Sequence, residues 1–310
     1  MKKLIKIIAY FMCFALLVGC TRQTVMSESI KEENEEMNTE AVVNIIYPQL
    51  SARPIENRPL PEDVETTEAP IEEFVTSDAS ITFTYEYIED GDVMSYGLLT
   101  PSTAETNKKT PLIIWLHGSG EVGCDKSTFN NRGLPPVLNN WELEGFNAYV
   151  VMPQLVCGFN TGNWMNNQAA ENINSLINKL RLEYRIDEER IILCGHSLGG
   201  QGTAYIASAL PDLFSCIAPL SGYDCGSKLE NINIPIWAIV GHPAYGEDDA
   251  SYNYVIKKFA GLCPDADILV LDTSHGDLPK MAFNLDDNND GKSDLIEWML
   301  NNRREVVGVG

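Results

Sequence analysis

The run Ile191, Ile192, Leu193, Cys194, Gly195, His196, Ser197, Leu198, Gly199, Gly200 decides the fold. Its apolar opening is short and unbroken, the pattern of a strand buried on both faces, and small residues follow at once. Strand, sharp turn and helix form the context of a G-x-S-x-G elbow, which holds a serine at the tip of a tight turn. Ser197 is therefore the candidate nucleophile. A hydroxyl attacks only when a base takes its proton, and in this arrangement the chain order is serine, acid, histidine. His242 follows the apolar run 234–240, whereas His275 follows the later run 268–271. The base belongs after the later strand, which selects His275.

Charge that develops on an attacked carbonyl oxygen needs donors. Residues 112–116 read as a second buried strand and run into His117, Gly118, Ser119, Gly120 and Glu121. Glycines there let backbone N–H groups come close to a substrate. The loop, at Gly118 and Ser119, and the N–H of Leu198 are the expected oxyanion donors. Further short apolar runs at 148–152, 216–220 and 236–240 suit a covered parallel sheet, and the alternating stretches 83–88 and 94–99 suit an antiparallel lead-in. Apolar spacing at 173–182, 204–210, 254–262 and 295–300 predicts the helices that cover it. The expected fold class is α/β: a mostly parallel sheet of about eight strands with helices on both faces, within one catalytic domain at 76–310.

Several of these segments resemble one family. His117-Gly-Ser-Gly-Glu121, Pro153-Gln154, Gly195-His-Ser-Leu-Gly199-Gly200, Pro211-Asp-Leu-Phe214, Ile234-Pro-Ile-Trp237 and Glu297-Trp298 resemble the α/β-hydrolase esterases of the feruloyl esterase, polyhydroxybutyrate depolymerase and predicted-peptidase group. The resemblance spans about residues 83–302. It implies the α/β-hydrolase fold and a Ser-His-acid hydrolase acting on an ester, or less often an amide, without a cofactor. An ester-substituted polysaccharide or a small ester fragment of one is the implied substrate class. A peptidase with the same machinery is the nearest rival, and a surface binding protein that kept the fold is a different class of answer.

The acid departs from the family pattern. Relatives carry an aspartate about three residues after the glycine that ends the corresponding strand, but here Gly241 is followed by His242, Pro243 and Ala244. Carboxylates come only at Glu247, Asp248 and Asp249. Asp248 is preferred because a short carboxylate at a loop's inner edge orients imidazole and stabilises its cation. Asp249, Glu247 and, from the preceding strand, Asp224 stay open as alternatives.

Trp164, Tyr223 and Tyr245 fall in loops expected at the mouth of the site, where aromatic walls suit aromatic esters or sugar rings. Near the end, Asp286, Asn288, Asp290, Gly291, Asp294 and Glu297 match positions one, three, five, six, nine and twelve of a calcium loop, with Lys292 at the position that ligates through its backbone. Such a loop predicts a structural calcium ion that supports His275 indirectly.

The N-terminus predicts where this chemistry takes place. Lys2, Lys3 and Lys6 precede an apolar stretch at 7–18 that is short for a membrane span. Leu17-Val18-Gly19-Cys20 resembles a lipobox, which implies a signal peptide at 1–20, lipid on Cys20 and export to the outer side of a cell membrane. Residues 21–75, rich in Glu, Asn, Thr and Pro, read as a disordered acidic tether. The net charge of −22 disfavours nucleic acid as a partner. Of the eight cysteines, Cys13 lies in the signal and Cys20 carries the lipid; Cys194 reads as a buried thiol. Bridges of Cys124 with Cys157 and of Cys216 with Cys225 are permitted outside the cytoplasm.

Overall fold

The apolar runs become strands that lie side by side, because residues with two buried faces need cover on both. A computed structural model describes residues 83–91, 93–105, 108–126, 129, 146–156, 162–223, 229–263, 265–287 and 289–304. The signal peptide with Cys20, the tether, Cys157, Asp224, Cys225 and Asn288 lie outside the described residues. The strands are β1 (Phe83–Ile88), β2 (Tyr96–Pro101), β3 (Thr110–Leu116), β4 (Tyr149–Pro153), β5 (Ile186–His196), β6 (Cys216–Leu220), β7 (Trp237–Gly241) and β8 (Asp267–Leu271). They form one sheet in the order β1-β2-β4-β3-β5-β6-β7-β8. The pairs β1 with β2 and β2 with β4 are antiparallel, as the alternating lead-in suggests, and every later pair is parallel.

Successive side chains point to opposite faces, so each central strand feeds two cores. Leu112, Ile114 and Leu116 enter one, with Ile191 and Leu193. Ile113 and Trp115 enter the other, with Ile192 and Cys194. The first core is closed by α1 (Asn167–Glu183) and α2 (Leu198–Ala209). Asn166 caps α1 by accepting the Ala169 N–H at 2.8 Å, and Ile173, Leu176, Ile177 and Leu180 form its buried stripe. Each such aliphatic side chain contributes about 1.5–3 kcal/mol on burial. The chain after β7 continues as α3 (Asp249–Asn253), a π-helical turn (Tyr254–Phe259) and α4 (Ala260–Leu262). The second core is closed by α5 (Leu278–Phe283) and α6 (Asp294–Asn301).

Three elements differ from expectation. β5 starts at Ile186 rather than 191, because Arg190 and Asp187 pair at 2.6 Å, nearly buried, and so carry their charges into the sheet together. The helix expected at 254–262 is interrupted by the π-helical turn. α5 has six residues, too few for a periodic signal, with Pro279 in its first turn. Of the bridges that export would permit, neither Cys124 nor Cys216 makes one, since both are free thiols. Cys216 sits wholly buried in β6 with its thiol toward the Met299 carbonyl, and Cys124 sulfur accepts from Gln154 Nε2 at 3.3 Å.

Parallel pairing sends the ends of β3, β5, β6, β7 and β8 to the same edge of the sheet. That edge is where α/β folds place their sites.

Candidate active site

Ser197 is the hinge between β5 and α2, with φ 57° and ψ −118°. A side chain held at positive φ costs on the order of 1–3 kcal/mol, so the surroundings must enforce the turn. They do so by crowding. A methyl on Gly199 would stand 1.8 Å from the Leu116 carbonyl oxygen, and one on Gly200 would stand 2.3 Å from that of Leu220. Only glycine lets α2 begin wedged between the ends of β3 and β6. The Ser197 N–H donates to the Leu220 carbonyl at 2.9 Å, while its hydroxyl makes no capping bond to the helix. The N-terminal dipole of α2 favours negative charge beside it.

The imidazole of His275, in the loop after β8, bonds through Nδ1 to Glu247 Oε1 at 2.6 Å. Here the structure corrects the preference for Asp248. Asp248 is exposed and caps α3, accepting the N–H groups of Ala250 at 2.9 Å and Ser251 at 3.0 Å. Asp249 opens α3, also exposed. Glu247 turns inward because Gly246, at φ 102°, reverses the chain just before it. Its side chain is fully buried. Oε2 accepts the Gly241 N–H at 3.2 Å and the Ser221 hydroxyl, and Oε1 also accepts the Asp248 N–H at 3.0 Å.

These contacts set the charges. Burial pushes the Glu247 carboxyl up, but the hydrogen bonds from His275 and Ser221 and the His275 charge outweigh it, leaving it below the ordinary carboxylate range. The hydrogen bond that His275 donates to Glu247 lifts its pKa above that of an ordinary histidine, burial notwithstanding. His196 packs its ring 4.6 Å from that of His275. Burial first, then the charge of His275, depress its pKa to about 4, so it stays neutral. His242 serves a different end: its Nδ1 accepts the Ala244 N–H at 3.2 Å.

The loop after β3 is fixed by a histidine whose part the sequence did not disclose. His117 is 1% exposed, and burial lowers its pKa to about 4. Its Nε2 accepts the Leu155 N–H at 3.1 Å, so Nδ1 carries the proton and donates to the Gly118 carbonyl at 2.7 Å. A methyl on Gly118 would stand 3.7 Å from Ser197 Cβ, which puts the loop against the nucleophile. Ser119 begins a short 3₁₀ turn there and is exposed. Trp164 is not an aromatic wall. It is fully buried, donates from Nε1 to the His117 carbonyl at 3.1 Å, and lies so close to α2 that a methyl on Gly202 would meet its Cβ at 2.2 Å. Tyr223 and Tyr245, by contrast, are 51% and 54% exposed at the carboxyl ends of β6 and β7.

The acidic loop before α6 folds around Asp286, which accepts the N–H groups of Asp290 and Gly291, both at 3.0 Å. Asp290 accepts the Lys292 N–H at 3.0 Å, and Lys292 Nζ stands 3.2 Å from Glu297 Oε1. Burial, and then the charges of Asp287, Asp286 and Asp290, push the Asp294 carboxyl up.

No family model matches the chain. It is 26% identical over 218 residues to an uncharacterized secreted protein of Arthroderma benhamiae, covering 60% of this chain and 22% of that one. It is 26% identical over 171 residues to a bifunctional acetylxylan esterase/xylanase of Neocallimastix patriciarum, covering 54% and 23%. The chain thus spans less than a quarter of the length of these two relatives. Among solved structures, an S-formylglutathione hydrolase of Staphylococcus aureus superposes with a TM-score of 0.51 at 14% identity, over 73% of this chain and 98% of that one. The fold is that of the α/β-hydrolases.

Proposed function

We propose that the protein is an exported serine hydrolase of carboxylic esters. The observations that carry this reading lie at one sheet edge: a serine on a strained elbow after β5 and, after β8, a histidine bonded to a buried carboxylate, its ring 4.6 Å from that of His196, the residue before Ser197. In the proposed reaction the Ser197 hydroxyl attacks the acyl carbon while His275 Nε2 takes its proton. Glu247 holds Nδ1–H and stabilises the imidazolium. The N–H of Leu198 and those of the Gly118–Ser119 turn receive the oxyanion, a term whose loss typically costs about 3 kcal/mol of barrier. His275 then returns the proton to the departing alcohol. Water, activated by the same histidine, releases the acid and regenerates Ser197. Every step uses groups of this chain.

The substrate class we propose is an ester-substituted carbohydrate or a small ester derived from one. It is supported by the likeness to an acetylxylan esterase and by Tyr223 and Tyr245, whose exposed rings suit a sugar or aromatic face. Lipid on Cys20 would fix the enzyme to the outer side of a membrane, and a Cys20→Ala variant that still pelleted with membranes would count against it.

Full-length protein incubated with a fluorophosphonate and weighed intact tests the reading. One adduct is expected, absent from Ser197→Ala and His275→Ala. A folded protein that takes none is a binding protein, and faster cleavage of an amide than of the matched ester would make it a peptidase.

A further inference from the structure

Glutamate reaches His275 on an arm one torsion longer than aspartate, and its terminal torsion is broad and nearly two-fold. A carboxylate held through one oxygen on such an arm can turn away from the imidazole. What prevents this is on the other oxygen: Oε2 accepts the Gly241 N–H at 3.2 Å and the Ser221 hydroxyl. Ser221 is 1% exposed, one residue past the end of β6, with φ 46°. Glycine is the unstrained residue in that left-handed region. The turn is held from two sides, since the Ser221 N–H donates to the Ile239 carbonyl of β7 at 2.9 Å and the Ser251 hydroxyl lies 3.5 Å from the Ser221 carbonyl. A serine there is strained, enclosed and aimed at the acid.

We propose that Ser221 is a positioning residue: its hydroxyl, carried on a strained turn after β6, fixes the Glu247 carboxylate so that Oε1 stays on His275 Nδ1. The geometry stands alone, while its consequence for turnover rests on the ester-hydrolase reading. The titratable groups around the pair are Asp248 beside Glu247 in the loop after β7, and His196 at the end of β5, whose neutral ring packs on His275.

The test uses Ser221→Gly and Ser221→Ala in the full-length protein. Both lose the hydroxyl, but only glycine relieves the backbone, so their stabilities separate. We expect kcat on a nitrophenyl ester to fall about 10- to 100-fold in both, with KM unchanged, the loss typical of a hydrogen bond to a charged group. The glycine variant is expected to melt no lower than the wild type and the alanine variant below it. A merely structural serine would make activity follow stability instead. In both variants the His275 titration, followed by NMR, is expected to move down toward an ordinary histidine as the Oε1 contact loosens. Wild-type kcat in the glycine variant, or a His275 titration that is unchanged or moves up, overturns the proposal. If the wild type turns over no ester, the hydrolase reading fails, and the NMR titration still decides whether Ser221 holds the pair.

Discussion

Glu247 and Asp248 are neighbours in the chain, one enclosed against His275 and the other open to solvent at the cap of α3. Their substitutions should separate cleanly. Glu247→Gln keeps the shape but offers an amide to Nδ1–H, and kcat is expected to fall about 10³- to 10⁴-fold, as when a triad acid is neutralised. Asp248→Ala removes a cap worth about 1 kcal/mol and should lower the melting temperature while leaving kcat within about threefold of wild type. Ester kinetics and thermal melts of both variants check this, and the reverse pattern would return the acid to Asp248. Ser197 at the elbow and His275 as a histidine bonded to a carboxylate are legible in the sequence because the elbow is a local pattern and chain order is read directly. The carboxylate that His275 bonds is not, because three consecutive carboxylates differ only in which one points inward. That choice is made by Gly246 and by the competing demand of α3 for a cap. Ser221 gave no signal beyond its place before a glycine, since its meaning depends on a residue 26 positions away.

At the scale of elements, continuous apolar runs located all the central strands, because burial on both faces leaves so plain a mark. A strand's end leaves no such mark where charge is paired inside, as at Asp187 and Arg190 in β5. The place of Trp164 is not legible, because a tryptophan in a loop looks the same in sequence whether it faces solvent or fills the slot that Gly202 leaves against α2. The loop from Asp286 to Glu297 brings like charges together around Asp294, an arrangement that a divalent cation relieves. Calcium is expected to raise the melting temperature by a few degrees and a chelator to reverse it, the size set by mass action on the folded state. An unchanged melt with either would assign the loop to its own hydrogen bonds and the Lys292–Glu297 pair.

The whole molecule should be sensitive to acid through histidines that stay neutral when folded. His117 and His196 are both depressed to about 4, against about 6.5 in an unfolded chain. Below pH ~6.5 the unfolded state therefore binds protons that the folded state refuses, and stability falls as pH drops toward ~4. Each could cost up to about 3 kcal/mol across that window. Glu247, depressed in the folded state, adds stability that is likewise lost as pH falls through its folded value. His275 is raised, so its contribution is present below the unfolded histidine value and is lost as pH rises through the folded one. Urea unfolding over this range should show about one proton less in the slope for His117→Gln than for wild type. Equal slopes would mean that His117 titrates in the folded protein.

The β6 and β7 strands meet through one ladder pair, Leu220 with Ile239, and an isolated bridge between Ile217 and Ile236. Ser197 hangs on the β5 side of that join, and Glu247 with His275 on the β7 and β8 side. The proposed machinery therefore straddles the sheet's slenderest seam, and the Ser221–Glu247 bond is a stitch across it. On the ester-hydrolase reading, a slight parting there separates Ser197 from His275 while both cores stay packed. In rising urea, ester turnover should vanish before tryptophan fluorescence changes; coincident loss would show the seam to be as firm as the rest of the sheet.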